Sequence, residues 1–167
     1  MEWRALSIKG AEAISRKLGS ILESWRDTPY LPGQQAKGAG GGVDCVRFVC
    51  GVVDELYGFR RAELPRLPQD RSLHDRAGAV KAMKFMRRLY EPNLPIEDGV
   101  FEPGDILVVS APDGGPGHAM IVGAEPNTLW HSTGRFVQMT GIGFLWATYH
   151  SWKFCGGYRM QDREKWA

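Results

Sequence analysis

The stretch Gly38-Ala39-Gly40-Gly41-Gly42-Val43-Asp44-Cys45 changes character abruptly. A glycine run too permissive to hold a helix or strand gives way to a carboxylate, and then to apolar residues at helical spacing. Asp44 reads as an N-cap, because a short carboxylate accepts the N–H bonds of a first helical turn. Phe48, Val49, Val52, Val53 and Leu56 supply the buried face of the helix, and Gly58 its C-terminal stop. Cys45 therefore falls in the first turn of a long buried helix. There, unpaired N–H groups and the positive end of the helix dipole favour the thiolate, the nucleophilic form of cysteine.

The elements around it define a fold class. Ile14, Leu18, Ile21, Leu22 and Trp25 mark one apolar stripe and predict an N-terminal helix within residues 1–28, ended by Thr28-Pro29. Residues 29–43 form a loop rich in Gly, Pro and Gln, with Tyr30 near its start. Leu64-Pro65-Arg66-Leu67-Pro68 must be extended. A third helix opens near Ser72, which forms a capping box with Asp75, and carries Leu73, Ala77, Val80, Met83 and Met86 inward, so that residues 60–100 read as a helical insert. From Gly104-Asp105 onward the pattern is strands: 106–109, 118–122, 129–133, 136–139 and 152–155. The short turns between them demand an antiparallel sheet. Helices first and strands second make an α+β domain, with residues 1–167 as one unit at this length.

Charge and cysteine usage narrow the setting. A net charge of +2 is too small for a nucleic-acid binder, and Lys81, Lys84, Arg87 and Arg88 read as a solvated helix face. Three cysteines without a C-x-x-C pair point to free thiols and a reducing compartment. Met1-Glu2-Trp3-Arg4 opens no apolar signal core, and no run approaches the ~18 apolar residues of a membrane span. The expectation is a soluble protein, cytoplasmic as synthesised, that reaches any target outside the cytoplasm by being carried there.

Thiol chemistry on an amide needs a nucleophile, a base, a group that orients the base, and donors for the oxyanion. Cys45 is the cysteine in an activating position; Cys50 lies mid-helix and Cys155 in a strand. His118 opens a strand after a Gly-rich turn, and His131 lies on the next strand, so one imidazole can hydrogen-bond the other. His118 is the expected general base and His131 its orienter. The Cys45 N–H is one oxyanion donor, and Tyr30 is either the second or a packed aromatic. Asp44 reads as a cap, and Asp105 as the anchor of its turn. His74 and His150 have no such context. Zinc held by Cys45, His118 and His131 is disfavoured by ligand spacing, and no cofactor is expected.

Asp44-Cys45-x-x-Phe48-Val49, then Gly104-Asp105 before a strand, Gly117-His118 opening the next, and His131 on the one after, resemble the NlpC-type cell-wall cysteine peptidases, a papain-like superfamily. Trp25-x-x-Thr28-Pro29-Tyr30 is similar to the branch found in phages and gene transfer agents. The resemblance spans about residues 14–135. It implies a papain-like single domain with Cys45 as nucleophile, His118 as base, His131 as third member and Tyr30 as active-site tyrosine. It further implies cleavage of bacterial peptidoglycan stem peptides between D-glutamate and a diamino acid, without metal. A phage-type enzyme would reach the wall in a virion or tail, with phage-tail or gene-transfer-agent proteins as partners. Where the commonest motif has Ser-Gly, this chain has Val46-Arg47, which bears on substrate preference. Arg47 either pairs with a substrate carboxylate or points into solvent. Two alternatives stand beside hydrolysis: acyl transfer or deamidation on the same fold, and a non-catalytic tail component that keeps the fold for binding. Cys before His in the chain disfavours the circularly permuted lipid acyltransferases.

Overall fold

The computed structural model describes residues 8–58, 84, 87–88, 90, 93–96, 100–110, 117–143 and 153–160. Two helices precede most of the strands: α1 (Ile8–Trp25) and α2 (Cys45–Tyr57), with the short strands β1 (Gln35–Ala36) and β2 (Gly42–Val43) between them. Then come β3 (Asn93–Pro95), β4 (Ile106–Ser110), β5 (Gly117–Val122), β6 (Thr128–Ser132), β7 (Val137–Gly141) and β8 (Lys153–Met160). The larger sheet has six strands in the order β3-β8-β4-β5-β6-β7, and every pairing is antiparallel. This is an α+β architecture with the N-terminal helices packed on an antiparallel sheet. The third helix expected from Ser72, with Met83, Met86 and His74, lies outside the described residues, as does His150; Lys84, Arg87 and Arg88 are helical.

Helix α2 is the centre of the packing because almost all of it is apolar. Val46, Phe48, Val49, Cys50, Val52, Val53, Leu56 and Tyr57 are buried, each large side chain worth about 1.5–3 kcal/mol in transfer from water. Against it lie Ile14, Leu18, Leu22 and Trp25 of α1, and one face of the sheet: Ile106, Val108, Ala119, Ile121, Trp130, Val137 and Tyr158. The alternate strand residues Leu107, Val109, Met120, Val122 and Leu129 form a second cluster with Ile96. Period-two alternation with both faces buried explains why 106–109 is a continuous apolar run. The helix stops where Gly58 takes the left-handed conformation (φ 70°), its N–H returning to the Asp54 carbonyl.

The loop read as irregular over 29–43 is held on both sides. Asp27 donates its N–H to the Val137 carbonyl at 3.0 Å, and Val137 donates back to Thr28 at 2.9 Å. Val43 donates to Pro29 at 2.9 Å, and Leu31 to Val43 at 3.3 Å. Lys37 ties the loop to the helices through Glu55 and Ser24, both at 2.7 Å, with its ammonium over the Trp25 ring. At Gly41 a side chain is impossible, since a Cβ would lie 2.1 Å from the Ala36 carbonyl oxygen. The glycine run thus makes a tight reversal between β1 and β2 that delivers the chain to Asp44.

Candidate active site

Asp44 caps α2 as the sequence predicts, and does more. Its Oδ1 accepts from the Arg47 N–H at 2.8 Å, and its Oδ2 accepts from the Gly33 N–H at 2.9 Å and from Arg47 Nη1. The carboxylate is saturated by three donors. Arg47 does not point into solvent, the second of the positions open to it from sequence. It folds back onto Asp44 with only 12% of its side chain exposed, so its charge is already matched. Val46 is buried in the core.

Cys45 is 8% exposed, and none of the three cysteines is in a disulfide. The backbone N–H of Ala119, the residue after His118, is directed at its sulfur closely enough to lower the thiol. Burial pushes the thiol up to about 11, and the Asp44 charge adds to this; the N–H groups of Ala119, Val46 and Cys45 pull it down. The effect expected of a helix start is therefore present, but desolvation outweighs it. The thiolate expected from sequence is not the resting form near neutral pH.

The β5–β6 ladder pairs Ile121 with Trp130 and Val122 with Leu129. Continued, that register places His118 one diagonal step from His131 on the same face of the sheet. The two rings meet, His118 Nε2 to His131 Nδ1 at 2.7 Å, crossing at 66°. Burial pushes both imidazoles well below the usual histidine range; for His118 the charge His131 would carry adds to it. Both are neutral at neutral pH. His131 Nε2 is buried without a hydrogen-bond partner.

Tyr30 is held between the other parts. Its N–H donates to the Arg135 carbonyl at 2.9 Å, and it bridges to Val43 in parallel fashion. Burial raises its phenol, and the charges that Cys45 and Asp44 would carry raise it further, which marks its closeness to the thiol. Sequence reasoning missed Ser132. From the strand of His131, its hydroxyl donates to the Val43 carbonyl at 2.9 Å, buried, tying that strand to the chain two residues before Cys45. The clue was a small hydroxyl beside a candidate histidine, too common to single out.

Asp105 anchors its turn as expected. Fully buried, it receives Arg159 Nε at 2.9 Å, Arg159 Nη2 at 2.7 Å and the Glu102 N–H at 2.6 Å. Among the described residues no cluster of three or more His, Cys, Asp or Glu side chains is arranged to hold a metal ion. No described helix is long and apolar enough to cross a membrane. A groove of about 430 Å³ between α1 and the β5–β7 region, lined by Ser15, Leu22, Trp130 and Met139 among others, shares no lining residue with the Cys45 group.

The α+β fold thus carries a thiol at a helix start and paired imidazoles on adjacent strands of an antiparallel sheet. Among solved structures the chain is similar to a Staphylococcus aureus protein described as similar to lipoprotein, of the NLP/P60 family. The TM-score is 0.55 at 16% identity, over 94% of this chain and 43% of that one. At that identity the likeness shows the fold, and this chain spans less than half the length of the staphylococcal protein. No protein-family profile and no curated protein matches the sequence.

Proposed function

We propose that the chain is a thiol hydrolase that cuts amide bonds in the peptide stems of bacterial peptidoglycan, with Cys45 as nucleophile, His118 as base, and His131 as its orienter. The observation that carries the reading is the 2.7 Å contact between His118 Nε2 and His131 Nδ1, with the N–H of Ala119, the residue after His118, lowering the Cys45 thiol. That contact occupies Nε2 of His118 and leaves its Nδ1 for the thiol proton. Neutral His118 then donates from Nε2–H to Nδ1 of His131, which fixes the tautomers of both rings.

The reaction starts from an uncharged pair. As a carbonyl enters, the Cys45 proton passes to His118 Nδ1 and the sulfur adds to the carbonyl carbon. The developing oxyanion is met by the Cys45 N–H and the Tyr30 hydroxyl. His118 returns the proton to the departing amine, and water, deprotonated by His118, releases the acyl group. The bond between D-glutamate and a diamino acid is the proposed target. Delivery in a virion or tail, with phage-tail or gene-transfer-agent proteins as partners, belongs to the same reading, supported by the resemblance of the Trp25–Tyr30 segment. The likeness to the staphylococcal structure of the NLP/P60 family supports the fold on which this reading rests.

The test is digestion of purified peptidoglycan, with soluble fragments identified by mass spectrometry. Wild-type protein is expected to release stem-peptide fragments and Cys45→Ala none; equal release by both would sink the mechanism. The raised Cys45 thiol favours one other reading, a non-catalytic phage-tail component that uses the papain-like fold for binding. Wall binding with no release by the wild type would select it.

A further inference from the structure

The imidazole pair described above ends on a buried nitrogen. His131 is 2% exposed, its Nδ1 is engaged by His118, and its Nε2 has no partner. With the tautomers fixed as above, that nitrogen carries a proton, so the orphan is a buried N–H donor in need of an acceptor. Directly opposite His131 in the β6–β7 ladder is Gln138. Opposed residues of an antiparallel pair share a face, with Cβ atoms about 4.5–5.5 Å apart. Gln138 is half-buried, and its amide makes no hydrogen bond to any described residue. A buried imidazole nitrogen without a partner and a half-buried amide with none among the described residues thus stand side by side on one face of the sheet. The flanking residues of β7, Val137 and Met139, project to the other face, where Val137 joins the helix-packed core.

We infer that Gln138 is a positioning residue, the third group of a line running His118, His131, Gln138 across β5, β6 and β7. A rotation of its side chain lets Oε1 accept from His131 Nε2–H, which holds His131 in the tautomer that presents Nδ1 to His118. No proton moves onto His131; the imidazolium formed on His118 during acyl transfer is stabilised through a neutral, oriented neighbour. The catalytic consequence and the tautomer rest on the hydrolase reading, but the pairing of His131 with Gln138 does not, because an amide can accept from Nε2–H or donate to a bare Nε2.

The experiment is nitrogen-15 and proton NMR of the histidine rings in the full chain, with wall digestion run on the same samples. In the wild type the His131 Nε2–H is expected as a slowly exchanging downfield proton. In Gln138→Leu it moves upfield and exchanges faster, and kcat falls about tenfold with KM unchanged. In Gln138→Glu, where a stronger acceptor replaces the amide, it moves further downfield. Ring signals identical in the wild type and Gln138→Leu overturn the role of Gln138, whether or not the wall is cut. Should Gln138→Leu fail to fold, an unshifted signal in Gln138→Glu overturns it equally. The expected shifts in a protein that releases no wall fragments uphold the bond and overturn the hydrolase reading instead.

Discussion

The Asp44 carboxylate beside Cys45 is held by three donors, whereas the imidazole pair of β5 and β6 ends on an unpartnered nitrogen. On the helix side, the Asp44 carboxylate accepts from Gly33 and twice from Arg47, and Ser132 reaches across to Val43. On the strand side, His118 and His131 hold each other, and Nε2 of His131 has nothing beyond it. The first half is built to hold one geometry. The second is a short relay whose last nitrogen has no hydrogen-bond partner. The same contrast governs charge. Burial drives both halves toward their neutral forms, the thiol by holding its proton and the imidazoles by refusing one.

That neutral pairing is open to a direct attempt to break it. A thiol–imidazolium ion pair requires the thiol to titrate below the imidazole, and here the order is reversed. Alkylation of Cys45 by iodoacetamide, followed by peptide mass mapping to separate it from Cys50 and Cys155, reads the thiolate fraction. With the thiol raised to about 11, the rate climbs about tenfold per pH unit through pH 6 to 9, roughly a thousandfold in all. A plateau beginning below pH 7 would show an ion pair and remove the contrast with a simple buried thiol.

A smaller effect sharpens the helix side. Asp44→Ala removes the cap and leaves the Arg47 guanidinium, 12% exposed, without its carboxylate. Breaking a pair this enclosed costs on the order of 3 kcal/mol, visible as a lower denaturant midpoint. Asp44→Ala combined with Arg47→Met recovers part of that loss. A single-variant loss under 1 kcal/mol would mean that the carboxylate is not the hub of this half.

How far the sequence carried depended on the range of the interaction. Helix α2 was legible to the residue at both ends, because Asp44 and Gly58 are local signals with local causes. The strands at 106, 118, 129 and 136 were legible from alternation and turns. The place of β8 between β3 and β4 was not, since it requires pairing residues 43 to 67 positions apart, with a bulge at Val108/Val109. Strands β1 and β2, two residues each, carry no periodicity at all. At the site, consecutive strands were enough to suggest that two histidines meet. The fold-back of Arg47 onto its own cap and the neutrality of the thiol depend on how much solvent the packed chain excludes, which no local motif records.

The central claim is that Cys45 forms the bond to the acyl group. Intact-mass spectrometry of the full chain, mixed with a wall-derived stem peptide and quenched in acid within the first turnover, tests it most directly. The account predicts a mass increase equal to the acyl fragment, mapped to Cys45 and absent from Cys45→Ala. Fragment release without an adduct on Cys45, or with the same adduct in Cys45→Ala, would contradict it.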